Sequence, residues 1–231
     1  MFDSILALLT STVLGASPFA AQDAPAAEQE EEVPKVFQVD KPVDLSLALP
    51  ALDGKVHTLK QYLGKTVVVD FWSIACPISI AYEGRMKALY ARYKDDPQVV
   101  LLAIDANHTE LAPGEDPYAR IKKYVADEKI PFPILIDAGN VVADRFGAQT
   151  TPHVFVIDAK GYLRYAGAVD DDPGGKKKPE EVKQWAADAI AALRAGEPVA
   201  VKTTKPVGCT IKRVPKETKA DPPAEKGKID G

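Results

Sequence analysis

Residues 67–79 read VVVDFWSIACPIS: an apolar and aromatic run broken by one aspartate, Asp70, and then a cysteine followed at once by proline. A short, valine-rich run is the pattern of a central strand covered on both faces. Pro77 suits the first position of a helix, where its missing N–H would have had no partner. From there Ile78, Tyr82, Met86, Leu89 and Tyr93 follow a single helical stripe. Cys76 is therefore expected where a buried strand ends and a helix begins. Free N–H groups and the helix dipole favour a thiolate there and lower the thiol pKa from its usual value of about 8.5. Active sites of open α/β sheets also gather outside the carboxyl ends of the strands. On placement alone, the same cysteine reads equally well as a small buried hydrophobe.

The pattern repeats along the chain. Residues 66–72, 99–105, 133–137 and 153–158 are short runs rich in Val and Ile and read as strands. Helices are expected from Pro77, around Tyr118, Ile121 and Val125 after Asp116-Pro117, and over 141–146. Upstream, 44–65 reads as a short strand, a turn at Asp53-Gly54, a second strand through Val56 and a helical turn before Gly64. Downstream, a hairpin turns at Lys160-Gly161. A last helix is expected over 179–195, burying Val182, Trp185, Ala189 and Leu193, with Glu180 and Glu181 at its positive end. Strands alternating with helices give an α/β domain over 36–200, a mixed sheet flanked by helices on both faces.

The ends differ in composition. Residues 1–22 hold an apolar stretch from Ile5 to Gly15 followed by small residues, resembling a secretory signal, although no Lys or Arg precedes the stretch. It falls short of the roughly 20 apolar residues that span a bilayer, so export to an extracytoplasmic space such as the periplasm is expected, without a stable membrane span. Residues 23–35 read as an acidic disordered linker, and 201–231 as a solvated basic tail with eight basic residues against four acids. A net charge of −4 gives no basic field for nucleic acid. The two cysteines, Cys76 and Cys209, are too far apart in sequence for a local metal knuckle, and an oxidising compartment would let them pair.

Two separated segments, DLSLALPALDGKVHTLKQYLGKTVVVDFWSIACP and TTPHVFVIDAKGYLRYAG, together resemble the thioredoxin-like redoxins over roughly 40–196. The likeness is nearest to a peroxiredoxin-like branch, the alkyl hydroperoxide reductase and thiol-specific antioxidant type, that closes with Gly-Cys-x-Ile-Lys; here the segment is KPVGCTIKR. The resemblance implies a thioredoxin-like fold and thiol redox chemistry. Cys76 would be the attacking thiol and Asp70, six positions earlier, a buried proton shuttle with a raised pKa. Ser73 matches the Ser/Thr that precedes a peroxide-reducing cysteine by three, although Val69 stands where those enzymes carry proline. Pro152 would be a cis proline that leaves the Thr151 backbone free to pair with an extended substrate; Trp72 and Pro77 would line the same surface. Ser79 stands where thioredoxins have their second cysteine and could donate a hydrogen bond to Cys76, but cannot resolve a mixed disulfide. Three roles are open for Cys209: the missing resolving thiol, half of a permanent disulfide, or a thiol that is free or pairs with another molecule.

The expected function is a thiol-dependent oxidoreductase, needing no cofactor and no metal, that takes a peroxide or a protein disulfide as substrate and an external thiol as reductant. The rival is a binding protein that keeps the fold without the chemistry. Copper handling through Cys76 and His153 is the outsider, because one Cys and one His are a poor site without further soft ligands. His57 and His108 read as surface residues.

Overall fold

The computed structural model describes residues 32–215. The expected signal (1–22), most of the acidic linker and the last part of the basic tail lie outside the described residues. The central sheet has five strands in the order β5-β4-β3-β7-β8. The seven residues of β3 (Thr66–Trp72) are all buried. They pair in parallel with β4 (Val99–Asp105), which pairs in parallel with β5 (Ile134–Ile136). On the other side β3 pairs antiparallel with β7 (His153–Ile157), and β7 with β8 (Leu163–Gly167). A two-stranded hairpin, β1 (Ala48–Pro50) with β2 (Val56–Thr58), precedes the sheet.

Strand alternation sends β3 side chains into two cores. Val68 and Trp72 face α1 (Pro77–Tyr93), α2 (Ala119–Asp127) and α4 (Trp185–Ala195), whose Tyr82, Met86, Ile121, Ala186, Ala189 and Ile190 fill that side. Val67, Val69 and Phe71 face α3 (Val141–Phe146) and the segment carrying Phe37, Val43 and Leu49. Both faces are covered, which is why the central strands read as continuous apolar runs rather than alternating ones.

The expected final helix is shorter than its sequence suggests. Pro179–Glu181 form a single 3-10 turn, the chain extends through Val182, and the α-helix starts only at Trp185. The residues fully buried on it are Ala186, Ala189 and Ile190; Val182, Trp185 and Leu193 are only half-buried. The break is set from the preceding loop, because Asp171 accepts the Lys183 N–H at 2.9 Å and pairs with Lys177 at 2.7 Å, fixing the chain outside helical geometry.

The larger difference lies past Gly196. The part of the basic tail that is described is no solvated tail but a strap laid across the domain. Thr204 N–H donates to Ala166 O at 3.1 Å, and its hydroxyl bonds Tyr165 and accepts from Ala168 N–H at 2.9 Å. Further on, β9 (Cys209–Thr210) pairs antiparallel with β6 (Thr150–Thr151), and Ile211 is buried in the core beside α3. Arg213 then reaches Asp144 at 2.8 Å and Ala148 O at 2.7 Å, while Val214 N–H donates to Asn140 at 2.7 Å.

Candidate active site

Cys76 is the N-cap of α1, extended at φ −86° and ψ 116°, and its sulfur accepts the Ser79 N–H at 3.4 Å. A cysteine sulfur thus holds the place of a capping oxygen, with Pro77 next in line. The preceding turn is pinned from behind. Ser73 Oγ accepts the N–H groups of Ala75 at 3.1 Å and Cys76 at 3.0 Å, and donates to Glu110. Glu110, 2% exposed, also accepts from Ile74 N–H at 3.0 Å and Ala75 N–H at 3.4 Å. Ser73 therefore shapes the backbone that carries the thiol. The expected Ser79 hydroxyl bond to Cys76 is replaced by its backbone N–H, because the hydroxyl accepts from Ser73 N–H at 3.2 Å.

The Thr151-Pro152 bond is cis. Thr151 O lies 2.9 Å from the Cys76 sulfur. The Thr151 backbone edge, expected to be free for a substrate, is filled by Cys209, whose N–H donates to Cys76 Sγ at 3.4 Å. Both cysteines are free thiols. Burial works to raise the Cys76 pKa, but hydrogen bonds from the Cys209 thiol, from Ser79 N–H and from Cys209 N–H outweigh it and hold the pKa below the usual thiol range. The Cys209 pKa moves up, chiefly because its thiol bonds to Cys76.

Behind the thiols lie buried carboxyl groups. Asp70, 1% exposed, is pushed up to about 7 by burial. Asp105 is pushed up to about 8 by burial and by the Glu110 carboxylate beside it. Among the described residues, the buried side-chain polar atoms without a hydrogen-bond partner are Asp70 Oδ1, Trp72 Nε1, Asp105 Oδ2 and Thr151 Oγ1. All four belong to β3, to the end of β4 or to the Thr151 edge. Such atoms each cost about 1–3 kcal/mol and are expected where function opposes stability.

The sequence placed Asp70, Ser73, Cys76, Ser79, Thr151 and Pro152 together, and the structure brings them together. Trp72 is a correction: it is 1% exposed and packs edge-on against Tyr124 at 5.8 Å, so it supports the site from inside instead of lining a substrate surface. Pro77 is exposed at the rim. His153 is buried, stacked near Phe155 at 4.3 Å, and its Nδ1 accepts Gln149 N–H at 3.3 Å. Among the described residues no three His, Cys, Asp or Glu side chains gather as a metal site. Of the histidines read as surface residues, His108 is exposed, whereas His57 is half-buried against the Tyr62 hydroxyl. Sequence reasoning missed Asp105 and Glu110; two acids straddling the carboxyl end of a buried strand were the available signal.

A five-stranded mixed sheet, helices on both faces and a cysteine capping the helix after its central strand define a thioredoxin-like fold. The chain belongs to the AhpC/TSA family, whose model matches residues 40–166. It is 32% identical over 110 residues to the thiol-disulfide oxidoreductase ResA of Bacillus thuringiensis subsp. konkukian, covering 48% of this chain and 58% of that relative. It is 30% identical over 115 residues to the thiol-disulfide oxidoreductase YkuV of Bacillus subtilis, covering 49% and 74%. Among solved structures, an uncharacterized conserved protein from Geobacillus kaustophilus superposes with a TM-score of 0.69 at 28% identity, covering 78% of this chain and 95% of that one. A hypothetical protein from Sinorhizobium meliloti 1021 gives 0.65 at 26%, covering 80% and 97%.

Proposed function

We propose that this protein is a thiol-dependent oxidoreductase whose working dithiol is Cys76 and Cys209. One observation carries the reading: the strap sets Cys209 against Cys76, with its N–H on the Cys76 sulfur at 3.4 Å, in a site with no cysteine at position 79. The Cys76 thiolate attacks an oxidised substrate. With a hydroperoxide, its electron pair cleaves the O–O bond, the alcohol leaves with a proton, and a sulfenic acid forms. The Cys209 thiol then displaces water to give the disulfide. With a disulfide substrate, Cys76 forms a mixed disulfide and expels one thiolate. Cys209 attacks the Cys76 sulfur and expels the second. An external thiol restores the pair.

Asp70 supports the reading as a proton store, since burial makes it half-protonated near neutral pH. The names of the ResA and YkuV relatives favour disulfides as substrates, and the family favours peroxides. The apolar start of the chain supports an extracytoplasmic location. Among the described residues no helix is long and apolar enough to cross a membrane.

The test is a non-reducing peptide map of the full chain before and after hydrogen peroxide or oxidised glutathione. A Cys76–Cys209 linked peptide that appears on oxidation and disappears with dithiothreitol supports the reading. Two thiols that stay reduced, or a linkage that no reductant opens, would overturn it.

A further inference from the structure

The β6 edge beside Cys76 is filled by the chain's own residues, and the filling is built in. Gly208 passes so close that a Cβ there would lie 2.1 Å from Thr151 O. Gly167 gives the strap its other close passage, where a Cβ would lie 2.1 Å from Thr204 Oγ1. The strap is tied on both sides of Cys209, by Thr204 on β8 upstream. Downstream, Ile211 is in the core, Lys212 N–H donates to the Asn107 side-chain Oδ1 at 3.0 Å, and Lys212 O accepts the His108 N–H at 2.7 Å. An extended polypeptide that sought to pair with Thr151 would have to displace all of this. Cys76 is 2% exposed beneath the strap, whereas Cys209 is partly exposed on it. Pro77 and Ile80 near the start of α1 and Val207 on the strap are exposed.

We infer that thiol reductants of the oxidised protein, small or polypeptide, exchange at Cys209, and that Cys76 is an internal thiolate which these reductants do not touch. The inference rests on the dithiol reading above and gives the site a direction. In the oxidised protein, a partner thiolate attacks the Cys209 sulfur. A new S–S bond forms between partner and Cys209, the Cys209–Cys76 bond breaks, and its electron pair leaves on Cys76. The departing thiolate is received by the Ser79 N–H at the start of α1. Exchange favours the sulfur whose neighbour leaves most readily, and Cys76 is the better leaving group of the two. The partner's second thiol then attacks its own sulfur in the mixed disulfide, releasing Cys209, which takes up the proton. The partner dithiol is oxidised and the Cys76–Cys209 disulfide is reduced. Oxidants small enough to pass the strap, a hydroperoxide or a small disulfide such as oxidised glutathione, are the class suited to reach Cys76 itself.

The experiment uses the oxidised full chain, a brief exposure to limiting reduced glutathione or to an unstructured peptide with one cysteine, a rapid acid quench, and mapping of the adduct. Adduct on Cys209 in excess of Cys76 by about tenfold or more is expected for both thiols. Adduct mainly on Cys76, for either thiol, overturns the inference. If oxidation yields no Cys76–Cys209 disulfide, the underlying dithiol reading falls before glutathione is added, and this inference with it.

Discussion

Replacing Gly208 with alanine should lift the strap from the active site without unfolding the domain. Gly208 is glycine for space, since its φ is not positive. A Cβ would stand 2.1 Å from Thr151 O, 2.6 Å from Thr151 C and 3.0 Å from Pro152 N, all backbone atoms that cannot swing aside. Ordinary contact needs about 3.5 Å or more, so strap and β6 must separate by more than about 1 Å. That shift breaks the Thr151 to Cys209 pairing and the Cys209 N–H bond to Cys76. At about 1 kcal/mol net for each hydrogen bond, two losses give about 2 kcal/mol, inside the 1–3 kcal/mol range typical of overpacking. The undocked state then becomes about 30-fold more populated. Because Cys76 is 2% exposed, a bulky maleimide must wait for that opening. In a Cys209→Ser background, where one thiol reports, Gly208→Ala should raise the Cys76 labelling rate about 30-fold. A rate within about twofold of the background would refute the strap as the barrier over Cys76.

Other perturbations test the electrostatics. Cys209→Ala removes the thiol that bonds Cys76, so the Cys76 pKa should move up in an ultraviolet thiolate titration; an unchanged value would count against the pairing. Asp105 has a folded pKa of about 8, above its unfolded range. The stability from its retained proton is whole below about pH 4 and lost as pH rises through about 8, so Asp105→Asn should flatten the decline of melting temperature between about pH 4 and 8. His153 behaves oppositely, its pKa being lowered by burial to about 4. Its contribution is whole above about pH 6.5 and lost as pH falls through about 4, a difference on the order of 3 kcal/mol. Urea unfolding of His153→Asn should therefore show a smaller loss between neutral and acidic pH than the parent, by about that amount.

What the sequence disclosed followed from local rules. The limits of β3 and β4 were readable because both strands are buried on two faces and carry unbroken apolar runs. The start of α1 was readable because Pro77 marks it and Tyr82 and Met86 keep the stripe. The hidden features depend on distant partners. The late start of α4 is set by bonds from Asp171, and the strap has no period because two-residue pairing, a single buried Ile211 and side-chain caps hold it. Glu110 was opaque for the same reason: its role is given by N–H groups of a turn more than thirty residues away. Gly208 beside Cys209 was the one local sign of close passage.

The strap also sets an order of events during synthesis. Cys76 and its turn can form once β4 and β7 are in place, but the segment that covers the thiol is among the last described residues of the chain. A growing or emerging chain therefore carries a thiol that stays uncovered until residues 208–214 arrive, and domains fold as their segments emerge. During that interval Cys76 is open to mispairing with passing disulfides, so the strap protects the finished protein but not the chain being made.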